Sequence, residues 1–308
     1  MFSFLKGLTE LPGTDMGERM LNAVASQSIR NLFTQSESVE VFVRCYPSSK
    51  LLQGSIDSFK MSGRNLVIRK DFQIEEMSFE TDAVSIDFSS VLNGQIRLKQ
   101  PTQAVATVTL SEAGINHAFK SELVKKRLQN ISVAGLTDLF GAESISFTEV
   151  QVKLLPDNRV RIFAKADLPN YGMVPICLTA TLSVKQRRRI CFQNPQFELD
   201  KVPESIEAVA HDLTALFAQL LNNMVDLDRF DLDGAIVRIN RLETQGEKLI
   251  FSGYAQIEHF PGTFSSNQKG SVQSYEKTPT IYQSSGSTGH NASKREGYCS
   301  NIGTIIRK

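Results

Sequence analysis

The sequence predicts an α+β protein in which a large, strongly curved antiparallel β-sheet wraps around one long amphipathic α-helix. Three observations carry that expectation. Residues 203–225, PESIEAVAHDLTALFAQLLNNMV, place Ile206, Val209, Ala210, Leu213, Leu216, Phe217, Leu220, Leu221 and Met224 at steps of three and four, which is one continuous stripe on a helix. Around that stretch, apolar and polar residues exchange at nearly every step, as in antiparallel strands with one wet face. Beyond Pro261 the composition falls to Ser, Gly, Thr, Asn, Lys and Gln. Such a segment buries too little apolar area to offset chain entropy, so 261–308 is expected to be a disordered tail and 15–260 a single folded domain.

In chain order, residues 1–14 are a short apolar lead. Phe2 and Phe4, with Leu5 and Leu8 beside Lys6, either dip into a membrane interface or form a terminus frayed or packed on its own domain. Residues 16–33 read as an amphipathic helix capping the core. VEVFVRCY, 39–46, is a strand stopped by Pro47. Short alternating segments follow at 56–61, 66–68, 72–74 and 84–88, then a turn at 89–94 and a return to the sheet at 95–99. Pro101 introduces the strand TQAVATVTL. Ser111 is the expected N-cap of a helix carrying Ile115, Phe119, Leu123 and Leu128. Lys125, Lys126 and Arg127 suit its C-terminal end, where cations complement the dipole, and an anionic headgroup is the other reading of that cluster.

Residues 130–144 read as a loop or a loosely helical connection. Strands are expected at 146–154, 159–166, 173–184 and 190–199. Arg187, Arg188 and Arg189 then form a hairpin tip, either a solvated basic turn or a contact with anionic lipid, where each basic residue is worth about 1 kcal/mol. The long helix follows, Pro203 suiting a first helical position and Glu204 and Glu207 its positive dipole end. Residues 235–241 and 249–258 close the chain as strands.

Composition narrows the function classes. A net charge of +1 gives no electrostatic case for nucleic acid. The four cysteines, Cys45, Cys177, Cys191 and Cys299, show no paired or metal-ligand spacing and read as reduced thiols in or near the core. No apolar run is long enough to span a membrane, and the N-terminus lacks the pattern of a secretory signal, so a cytoplasmic location is expected, peripheral to the inner face of a membrane where it meets one. Phosphate-loop, GxSxG and HExxH motifs are missing. The run from Asp226 to Asp233 places Phe230 or Ala235 where an EF-hand needs an oxygen donor, so water-facing carboxylates are expected and no metal site. No enzyme and no cofactor are expected.

The order of elements resembles a known family. The stretches VEVFVRCYPSSKLLQGSIDSFKMSGRNL, PTQAVATVTLSEAGIN, VPICLTATLSV, NPQFELDKVPESI and LIFSGYAQIEHFP are similar to the bacterial LmeA-like phospholipid-binding family over about residues 35–262. Its strongest pieces are Leu52-x-Gly54, the Ala104-x-Ala106-x-Val108 strand running into Leu110-Ser111-Glu112, and Gly253-x-Ala255. The resemblance implies an elongated sheet curled around a long helix, similar to tubular (TULIP) lipid-binding proteins. It also implies phospholipid acyl chains in an apolar groove, without catalysis. Envelope members carry an export signal or anchor; none is evident here, and the tail lies outside the resemblance.

The function expected is therefore non-catalytic binding, with transfer as an extension, of a phospholipid or other acyl lipid at a membrane surface. Each buried methylene contributes about 0.8 kcal/mol. The groove walls expected are Ile206, Val209, Leu213, Leu216, Phe217 and Leu220 on the helix and Ile176, Leu178, Ala180 and Leu182 on the facing strand. The sequence leaves open whether these line a groove or a dry core. A filled core would make the same fold a protein-interaction module. Neither reading names a protein partner.

Overall fold

The computed structural model of the chain describes residues 16–47, 49–68, 72–93, 95–132, 136–198, 202–229 and 234–259. All of them fall in one compact unit, Met1–Phe264; the second unit, Ser265–Lys308, and the whole of the expected tail, 261–308, lie outside the described residues.

Helix α1 (Met16–Arg30) leads into strand β1 (Ser38–Arg44), a single-turn α2 (Ser49–Leu52), β2 (Ser55–Ile56), β3 (Ser58–Ile68), β4 (Phe72–Thr81), β5 (Val84–Ser85), α3 (Phe88–Leu92) and β6 (Thr102–Ser111). A second run begins with α4 (Glu112–Phe119), α5 (Glu122–Leu128) and α6 (Leu136–Phe140). It continues through β7 (Ser146–Leu155), β8 (Arg159–Leu168), β9 (Gly172–Lys185) and β10 (Arg189–Phe197). A 3-10 turn, Glu204–Ile206, then starts the 18-residue α7 (Glu207–Met224), and β11 (Ala235–Gln245) and β12 (Lys248–Ile257) complete the fold.

The strands form two principal antiparallel sheets where the sequence suggested one. The large sheet has six strands in the order β1-β3-β4-β6-β12-β11, and the small sheet four, β10-β9-β8-β7; β2 and β5 make a separate ribbon. A period of two specifies strands and their wet faces but not which strands pair. Here β6 passes into α4 instead of another hairpin, so the second meander starts afresh and only β11 and β12 return to the first. The long helix accordingly covers one sheet, packing on β9 and β10, while α1 packs along β1.

Two further expectations change. Residues 89–94 are not a simple turn, because Asp87 caps α3 through the Ser89 N–H at 3.0 Å, and 95–99 contribute only the Ile86–Leu98 bridge. The helix expected across 111–128 is split. Ser111 caps α4 as anticipated, but Ser121 accepts from the Val124 N–H and starts α5 as a separate helix.

Three of the four sheet edges are closed by helical asparagines. On α1, Asn22 receives the Val43 N–H at 2.7 Å and donates to the Val43 carbonyl, while Glu18 receives the Cys45 N–H. On α4, Asn116 receives the Val152 N–H at 2.7 Å and donates to the Val152 carbonyl, while Glu112 receives the Leu154 N–H. Asn222 on α7 treats Phe192 of β10 in the same way. A carboxamide has both donor and acceptor, as the next strand would, so each asparagine meets both backbone groups of one edge residue and occupies a position where another strand would pair.

The fourth edge, β11, is closed by the small sheet's own turns. Ile239 donates to the Arg187 carbonyl at 2.6 Å, and Thr244 exchanges bonds with Asn158.

Candidate functional site

The face of α7 that the sequence singled out meets the small sheet in a buried apolar core. Leu213, Phe217 and Leu178 are wholly buried, Ile176 and Leu182 nearly so, and the Phe217 ring lies 4.6 Å from that of Phe147. These five residues, with Ala180, are buried between α7 and the small sheet. Ile206, Val209, Leu216 and Leu220 are only partly buried and form the rim of that core. Phe2 and Phe4 lie outside the described residues.

The basic hairpin tip is drawn inward. Gln186 and Arg187 adopt positive φ, making a tight turn whose end sits against the connection between α7 and β11. Arg189 donates to Asp226 at 2.9 Å, Arg188 to Asp228 at 2.5 Å, and Arg238 to Asp228 at 2.8 Å. Arg187 bonds Asn240 and lies over the Tyr254 ring at 5.8 Å. Asp226 is 3% exposed, so the expectation of water-facing carboxylates fails at this residue. Burial pushes its carboxyl up, but the bond from Arg189, the Asp228 N–H and the charges of Arg188 and Arg189 outweigh it and hold it below the ordinary range. Asp228 is held low chiefly by Arg188. The tip thus joins the two sheets, and two of its three arginines are committed to carboxylates. Asp231 and Asp233 lie outside the described residues.

The apolar inner face of the large sheet is where the structure departs most from the sequence reading. Two cores form along it. One holds Ala104, Ala255 and Ile257 under α1, and the other holds Ile239, Leu242 and Leu249 beneath α7 and the small sheet. Their seam crosses β6, β12 and β11 at Val108, Gly253 and Asn240. A hollow of about 40 Å³ lies on the seam, lined by Ala106, Val108, Val237, Ile239, Phe251 and Gly253, with Arg238 and Ser252 at its margin.

Backbone geometry causes this hollow. Asn240 is a β-bulge: Ile239 pairs with Gly253 and Arg241 with Ser252, so one residue of β11 has no partner. The bulge brings the Arg238 carbonyl so close that a Cβ on residue 253 would stand 2.0 Å from its oxygen. Only glycine fits there. Ala106 is its register partner on β6, and a Gly–Ala pair leaves a dent between Phe251, Val108 and Val237. Gly54 is required for a like reason, with φ +76° and a would-be Cβ 2.2 Å from the Ile86 carbonyl.

The seam residues were not foreseen. Gly253-x-Ala255 and Ala104-x-Ala106-x-Val108 were visible as motifs, yet nothing local says that β6 and β12 are neighbours. Among the described residues, no group of three or more His, Cys, Asp or Glu is placed to hold a metal, and no helix is long and apolar enough to cross a membrane. Cys45 and Cys191 are buried and Cys177 is half-buried; Cys299 lies outside the described residues.

Fold and hollow together describe an α+β protein of two antiparallel sheets whose candidate site offers apolar contact. The chain belongs to the LmeA-like phospholipid-binding family, whose model matches residues 13–253. No curated protein and no solved structure matches it.

Proposed function

We propose that the protein binds phospholipid without catalysis and that an acyl chain lies along the seam on the inner face of the large sheet. The observation that carries this placement is the half-covered apolar row through Ala106, Val108, Val237 and Phe251, between two buried apolar cores. Enclosed ligand sites measure about 300–1,000 Å³, so a hollow of about 40 Å³ serves as a seat for one segment of chain lying on the sheet, not as a closed pocket. Each methylene removed from water there contributes about 0.8 kcal/mol and needs no hydrogen-bond code. The groove between helix and sheet expected from the sequence would require α7 to lift. Carriage of lipid between membranes is an extension of the same reading, in which the seat is loaded at one bilayer and emptied at another.

The test is native mass spectrometry of the full chain purified without detergent, followed by organic extraction. A phospholipid adduct retained by Leu216→Asp on the α7 rim, and lost in Ala106→Phe with the circular dichroism unchanged, is expected. A clean apo mass with no uptake from added vesicles overturns the reading and favours the interaction module with a filled core.

A further inference from the structure

The two ends of the small sheet differ in kind. At one end the turns at 156–158 and 186–188 carry Asp157, Arg187 and Arg188 and are seated against β11. At the other, the β8–β9 turn projects with Tyr171 45% and Met173 47% exposed. Leu139 of α6, 45% exposed, lies beside it, because Asn170 on the turn reaches the Phe140 carbonyl at 3.5 Å and stands against Gly141. From Leu168 to Val174 the chain has no charged side chain. Among the other exposed apolar residues, Phe42 and Val105 share their sheet face with the Lys60–Glu80 pair and Tyr254 lies beneath Arg187, while Met173 has one charged register partner, Asp167 on β8.

We propose that this end, Leu139 with Tyr171 and Met173, is the part of the molecule that enters a phospholipid bilayer. The proposal rests on the lipid-binding reading, since a ligand held in bilayers must be collected from one. A tyrosine flanked by apolar side chains suits the headgroup boundary, its ring among acyl chains and its hydroxyl in water. Charge does not drive the contact. The α5 cations Lys125, Lys126 and Arg127 approach this end, since Asn130 bonds Ser146 and Ser146 pairs with Asp167, but Asp138, Glu143 and Asp167 offset them. Binding is therefore to uncharged as well as anionic bilayers, reversible, and little affected by salt.

The chain has no tryptophan, so Met173→Trp places a single reporter in the full-length protein. With phosphatidylcholine vesicles its emission is expected to shift blue and to be quenched by lipids brominated in the acyl chain, while Val105→Trp on the large sheet's outer face stays unchanged. Tyr171→Asp combined with Met173→Asp is expected to lower vesicle partitioning by about tenfold or more. An unshifted residue-173 reporter on protein that cosediments with vesicles overturns the proposal. Extraction of detergent-free protein separates the two claims: retained phospholipid with an unshifted reporter sinks this proposal alone. A shifted reporter with no lipid uptake sinks the seat and leaves the bilayer contact standing.

Discussion

Phe217→Ala separates a dry core from a groove wall most sharply. The ring is wholly buried and stacked obliquely on Phe147 at 4.6 Å, so truncation removes an aromatic pair and leaves a void roofed by α7. Large-to-small changes of this kind cost about 3–5 kcal/mol, aromatic contact included. For a domain of this size each kcal/mol moves the midpoint by about 2–4 °C, so a fall of about 10 °C is expected. The assay is a thermal melt followed by circular dichroism, with phospholipid extracted from the same preparation at a temperature where the variant is folded. Stability should drop while the lipid-to-protein ratio holds. A variant that melts like the wild type and has lost its lipid would show that α7 lines the ligand site and that the seam does not.

Other consequences follow from the joint, the edges and the bulge. Asp226 has its carboxyl held low in the folded state, so its stabilisation is complete above the ordinary aspartate value of about 3.9 and is lost as pH falls through the lowered value. Asp226→Asn should therefore melt lower than wild type near neutrality and converge with it in strong acid, read as melting temperature against pH. At neutral pH the loss should be about 2 kcal/mol, below that of a fully buried pair because Arg188 and Arg189 keep a third of their side chains in water. Asn116→Leu leaves the Val152 N–H and carbonyl unmet and should cost about 1–3 kcal/mol, with faster amide exchange at Val152 by nuclear magnetic resonance. Gly253→Ala meets a backbone oxygen that cannot move aside, and a loss of about 3 kcal/mol or more in urea denaturation is expected.

Strands β8 and β9 were legible because they run through strict alternation: Val160, Ile162, Ala164, Ala166 and Leu168 mark β8 as plainly in the sequence as in the core. Helix α7 was legible for the same reason at its own period. The division into two sheets was not, since it depends on β12 crossing back to β6 and no local pattern records that pairing. The role of Arg187, Arg188 and Arg189 was hidden likewise, because their partners Asp226, Asp228 and Asn240 come from a distant connection. Asn22, Asn116 and Asn222 look like ordinary polar positions on amphipathic helices. Their function appears only when a strand edge lies alongside. The apolar stripe of α7 drew the site prediction to the strongest signal in the sequence, whereas the proposed seat lies where the signal is weakest, at a Gly–Ala pair beside a bulge.

The most direct measurement is photocrosslinking of the full chain with a phosphatidylcholine bearing a photoactivatable group midway along one acyl chain, with the adducts mapped by peptide mass spectrometry. Adducts concentrated on β6 and β12, at Val108 and Phe251, are predicted. Adducts on Leu213, Phe217 or Leu178 instead would place the lipid beneath α7 and contradict the account.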